Sequence, residues 1–187
     1  MHRSGDSATG FIPAALAFLL LYGALSAPLL WRSDVASPFL AGSVVLAIVL
    51  AALSAVDLYS FRLPDILTLP LAAAGLIVSW WTGAMPLWWS AVSAGMGFLL
   101  LAGVDYAYRR IRGRAGLGLG DAKLLAASGA WLGAGALPTV LLLATGSALV
   151  CVLIAAYRSG SLPGGRRIPF GPFLAFGTWL AWLYGPL

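Results

Sequence analysis

Apolar residues run along this chain in long, nearly unbroken stretches separated by short polar gaps, without the strict alternation of a half-buried strand. Seven stretches can be drawn, at approximately 11–31, 38–56, 64–82, 86–104, 122–137, 138–157 and 169–185. A helix needs about 20 apolar residues to cross the hydrocarbon core of a bilayer, within a range of about 17–25. The pattern therefore predicts an all-α, polytopic integral membrane protein of about six or seven transmembrane helices, with residues 1–187 forming a single membrane domain. The fifth stretch, rich in Ala and Gly, is the shortest. Two basic, Gly-containing connections are expected, at 105–120 and 158–168.

Composition narrows the function classes. Hydrophobic residues make up 61% of the chain and charged residues only 9%, which excludes an ordinary soluble domain. The net charge of +5 does not point to nucleic acid, because the cations fall in short gaps between apolar runs and form no aromatic-interleaved patch. They fit a topology signal better. With the N-terminus cytoplasmic, Arg3, Arg62, Arg109, Arg110, Arg112, Arg114, Lys123, Arg158, Arg166 and Arg167 fall inside and only Arg32 outside. Trp31, Trp80, Trp81, Trp88 and Trp89 then gather at the outer interface, where an indole can bury its ring and keep its N–H wet. Arg3 and the run ending Leu25-Ser26-Ala27 could suggest a removable signal, but Asp6 and Leu25 fit that pattern poorly, so the first stretch is read as a span.

Few side chains can carry chemistry. The single cysteine, Cys151, lies within an apolar run and the single histidine, His2, lies near the start of the chain, so no zinc site or disulfide framework is expected. The acids are Asp6, Asp34, Asp57, Asp65, Asp105 and Asp121, and there is no Glu. An ionised Asp near the middle of a bilayer costs about 2.5–3.5 kcal/mol on insertion scales, so an acid beside a membrane segment is by default functional. Asp57 ends the second predicted span and Asp121 begins the fifth, which places both at one depth on the cytoplasmic side.

Two carboxylates brought together cannot both ionise easily, so the pair holds one shared proton at working pH. That makes an acid and a base in a single site. The ionised member can take a proton from water as it attacks a peptide carbonyl, while the protonated member hydrogen-bonds the carbonyl oxygen. Neither cofactor nor metal is needed.

Three blocks carry a resemblance. Asp57-Leu-Tyr-Ser-Phe-Arg-Leu-Pro64-Asp65 is an acid followed by a polar turn and a helix started by proline; Gly118-Leu-Gly120-Asp121-Ala-Lys123-Leu-Leu125 is a GxGD sequence; Ile168-Pro169-Phe-Gly171-Pro172-Phe is the third. In this order, inside a membrane protein, they resemble the type IV prepilin peptidases. The resemblance implies an aspartic endopeptidase of the bacterial inner membrane with Asp57 and Asp121 as its dyad, cutting the basic leader of prepilin or pseudopilin precursors at the cytoplasmic face. It places Gly118, Gly120, Lys123, Pro64, Asp65, Pro169, Gly171 and Pro172 near the site. Long members of the family also carry a cytoplasmic region with paired CxxC motifs linked to metal binding and N-methylation. That framework is absent here, so the expected activity is proteolysis alone. Ala115 stands where many relatives carry Glu.

Each residue also has a plainer reading. An acid in the first turn of a helix, such as Asp65, complements the helix dipole. Lys123 can anchor the membrane surface or tune a neighbouring acid by its charge. Gly116, Gly118 and Gly120 lack the strand and the GK[ST] of a phosphate loop and instead free the backbone beside Asp121. Gly129-x-x-x-Gly133 permits close helix packing, and Pro169, Gly171 and Pro172 shape a helix entry. Other readings of the acids are a GxGD protease for another substrate class, preflagellin peptidase-like or signal-peptide peptidase-like, and a small proton-coupled transporter.

Overall fold

A computed structural model describes residues 6–30, 37–113, 118–159 and 168–185. His2, Arg3, Trp31, Arg32, Asp34, Arg114, Ala115, Gly116, Arg166 and Arg167 lie outside the described residues. Seven α-helices occupy the described chain: α1 (Asp6–Leu30), α2 (Ser37–Ser60), α3 (Asp65–Thr82), α4 (Leu87–Arg112), α5 (Leu119–Leu132), α6 (Leu137–Ser159) and α7 (Gly171–Tyr184), with a short 3₁₀ turn at Ala134–Ala136. Four segments, Phe39–Ser60, Asp65–Thr82, Leu87–Arg112 and Ala134–Arg158, are long and apolar enough to cross a membrane, and α1 holds a shorter apolar stretch, Pro13–Ala27.

The other two helices are different. At 1.5 Å rise per residue, the 14 residues of α5 or α7 cover only about 21 Å, short of a hydrocarbon core of about 30 Å. Both are encased by longer neighbours instead, with nine residues of each buried. The predicted fifth span, 122–137, divides because Gly133 adopts φ +80° and stops α5 after Leu132. Gly133 therefore marks a helix end and is not the second half of a packing face.

The connection expected at 105–120 also differs. Its first part continues α4 as far as Arg112, where Gly113 in the left-handed region ends the helix. Asp105 and Arg109, four residues apart, form an ion pair of 2.6 Å on that extension, an arrangement that favours helix.

Packing around α5 is set by small residues. A methyl group on Gly97 would come within 2.5 Å of the Leu125 carbonyl oxygen, and one on Gly129 within 2.3 Å of the Ser93 oxygen, so α4 and α5 touch backbone to backbone. The same contacts fix an antiparallel register in which Asp121 lies level with Leu101. On the opposite side, Trp131 donates to the Leu71 carbonyl of α3 (2.8 Å), and the Ala130 carbonyl accepts from Ser79 of α3 and from Ser90 of α4. Replacing Gly129 by Ala forces the α4 backbone away. We expect Gly129→Ala to lower the thermal midpoint in detergent, by a free energy of about 1–3 kcal/mol as for other overpacked cores; an unchanged midpoint would refute so close an approach.

Candidate active site

Asp57 lies in the last turn of α2, which ends where the Phe61 N–H donates to the Asp57 carbonyl (2.9 Å) and Phe61 turns into the left-handed region at φ 52°. The residue is 5% exposed. Oδ2 accepts a hydrogen bond from the backbone N–H of Gly171, 2.9 Å away at the start of α7. Only glycine fits there: a β-carbon at 171 would lie 2.7 Å from Oδ2 and 3.0 Å from Cγ of Asp57.

Asp121 enters from the first turn of α5 and is 8% exposed. Gly118 precedes that helix in an extended conformation, and its backbone hydrogen-bonds the Asp121 carboxylate. Gly120 faces the turn after Asp57, where a β-carbon would meet Leu63 Cβ at 2.8 Å and Leu63 N at 3.3 Å. The two glycines of the tetrapeptide thus do separate things: one caps the acid, and the other lets α5 approach the segment that carries its partner.

The helices then bring the acids into each other's field. Ser128 and Thr178 share a hydrogen bond of 2.7 Å, and each is seven residues beyond Asp121 and Gly171 respectively. Parallel α5 and α7 therefore begin at the same level, and both aim free N–H groups at the carboxylates. Asp121 lies outside the four apolar spans. Burial first, and then the nearby Asp57 carboxylate, push its pKa up from the ordinary carboxylate range to about 6. A pair so arranged retains one proton where isolated carboxyls would hold none.

Lys123 and Asp65 lie 58 residues apart in sequence but form an ion pair of 2.5 Å, joining the N-terminal part of α5 to the first turn of α3. Asp65 is more than half exposed, so the pair contributes little to stability. Pro64 sets the entry to α3, its carbonyl accepting from the N–H groups of Leu67 and Thr68. Pro172 occupies the first turn of α7, while Pro169 precedes Phe170, whose carbonyl accepts from Phe173 and Leu174. We expect Asp65→Asn to keep at least a tenth of the unsubstituted activity, since loss of an exposed pair is worth at most about 1 kcal/mol; complete inactivity would place Asp65 in the chemistry.

Two features escaped the sequence reading. The Gly171 N–H, as a donor to Asp57, has no signature a sequence could offer. The Asp105–Arg109 pair did have one, the acid-to-base spacing of four. Among the described residues, no group of three or more His, Cys, Asp or Glu could hold a metal ion.

The described site falls mostly within a stretch that matches a known family. Residues 44–155, which hold both Asp57 and Asp121, match the model of the type IV leader peptidase family. This chain belongs to the type IV leader peptidase family. Among curated members, it is 43% identical over 145 residues to the prepilin leader peptidase/N-methyltransferase of Aeromonas salmonicida, covering 76% of this chain and 49% of that protein. It is 44% identical over 128 residues to the corresponding protein of Burkholderia pseudomallei, covering 68% and 41%. The Dickeya chrysanthemi relative is 39% identical over 162 residues, covering 87% and 54%. The chain thus spans about half the length of the curated leader peptidases it matches. No solved structure matches it.

Proposed function

We propose that this protein is a membrane aspartic endopeptidase that removes the basic leader of prepilin or pseudopilin precursors, with Asp57 and Asp121 activating the water. The observation that carries this reading is the convergence of two buried carboxylates from distant segments, each hydrogen-bonded by the start of a helix. In the reaction, Asp57 as the ionised member takes a proton from water while the water oxygen bonds to the scissile carbonyl carbon. Asp121, holding the shared proton, donates a hydrogen bond to the carbonyl oxygen as negative charge develops there. Collapse of the tetrahedral intermediate breaks the C–N bond, and the amine leaves with a proton returned from the pair.

Location supports the same reading. Every Lys and Arg among the described residues (Arg62, Arg109, Arg110, Arg112, Lys123 and Arg158) sits at the end of the bundle that bears the two acids. Trp80, Trp81, Trp88 and Trp89 lie exposed at the opposite end. By the positive-inside rule, the acids then face the cytoplasm of a bacterial inner membrane. The test is incubation of the purified protein with a prepilin-like precursor, followed by mass analysis of both products. Release of an intact basic leader is the expected result. An uncleaved precursor, with proton-coupled solute flux in liposomes, would replace this reading with a transporter.

A further inference from the structure

Among the described residues, five adopt a left-handed backbone: Gly83, Gly113, Gly133, Gly185 and Phe61. All five follow helix ends, and four are the residue that enters this region without steric cost. Phe61 is the exception, and for a bulky L-residue the conformation is strained. Core packing does not offset that strain, because Phe61 is 52% exposed. The turn is held by other groups. The Phe61 N–H bonds to the Asp57 carbonyl, and the Ser60 hydroxyl bonds the carbonyls of Val56 and Arg62. A glycine at 61 would keep each of these bonds and lower the strain.

Position gives the aromatic ring its meaning. Phe61 stands four residues after Asp57 and two before Leu63, the residue that seats Gly120 beside Asp121. The strained turn therefore runs from the end of the helix that carries Asp57 to the residue against which Gly120 of the Asp121 helix packs, and Phe61 is half-exposed at that point. An interfacial anchor would not require this backbone, since any outward position on α2 or α3 could serve. Strain held at a site points to a contact made with something other than the chain itself.

We propose that Phe61 is a specificity-determining residue whose ring packs against an apolar side chain of the substrate next to the scissile peptide. This rests on the proteolytic reading above. Loss of the ring removes a partly buried apolar contact from the enzyme–substrate complex and leaves the carboxylates untouched.

The test compares Phe61→Gly with Phe61→Ala, both assayed on a prepilin-like precursor in detergent, where no bilayer interface exists. Both variants should raise KM about fivefold or more, with kcat within about twofold of the unsubstituted protein. Phe61→Gly should also melt at a higher temperature than Phe61→Ala, because it relieves the backbone. A KM within twofold of the unsubstituted protein in both variants overturns the contact. Normal KM in Phe61→Gly alone also overturns it, by assigning the effect of Ala to the backbone. Failure of the unsubstituted protein to cut the precursor overturns the proteolytic reading, and the Phe61 contact with it. Cross-linking provides a second measurement. In a Cys151→Ser background with an added thiol oxidant, Phe61→Cys should form a disulfide with a precursor bearing one cysteine next to the scissile bond, and no adduct there would count against the proposal.

Discussion

We expect Asp57→Asn and Asp121→Asn each to lower kcat for precursor cleavage by about 10²–10⁴-fold, the usual worth of a positioned acid or base, while leaving helical content unchanged. Asparagine preserves shape. At position 57 its carbonyl oxygen can still accept the Gly171 N–H, so the loss reports proton transfer and not collapse of the site. The double variant should be little worse than either single one, because the acids act as a unit. The unsubstituted protein should also show the shared proton directly. Asp121 titrates at about 6, so it is protonated below that pH and ionised above it, and kcat/KM should fall as pH rises past that point. Full cleavage by either variant would remove that residue from the mechanism, and a flat profile through this range would place the proton elsewhere.

Gly171→Ala is expected to be nearly as damaging, although it adds only a methyl group. That methyl would sit 2.7 Å from Oδ2 and 3.3 Å from Cβ of Asp57, so the short acidic side chain has to move as a whole. A displacement of the order of 1 Å in a catalytic group costs about 10²-fold in rate. The expected result is a kcat reduced by about 10–10² with KM changed much less, and an α7 that remains folded because Phe170, Pro172 and Thr178 are unaltered. An activity equal to that of the unsubstituted protein would show that the Asp57–Gly171 contact is not the working geometry.

Legibility in the sequence followed the cost of each feature. Asp57 and Asp121 could be read because an acid next to an apolar span is expensive and only six acids exist. The long helices could be read because bilayer thickness dictates their length, whereas α5 and α7, at 14 residues each, are set by packing against their neighbours. The end of α4 could not be placed, since Tyr106, Tyr108, Arg109 and Arg110 form a helix that is exposed, and an exposed helix lacks the apolar signal used to find the others. Gly171 could be seen as part of a helix entry, but its hydrogen bond to Asp57 spans 114 residues and follows only from how α2 and α7 pack. Lys123 was open to two readings for the same reason: its partner, Asp65, is distant in sequence.

The length of α4 has a consequence for reach. Asp121 is level with Leu101, while α4 continues to Arg112, so the helix stands about 16 Å proud of the acids at 1.5 Å per residue. An extended peptide gains at most about 3.3–3.6 Å per residue. A chain held at the acids and leaving along this helix must therefore spend about five residues before its end clears Arg112. On the proteolytic reading proposed above, this projection is a ruler: it sets the shortest tail that can be gripped from beyond the rim while its bond lies at the acids.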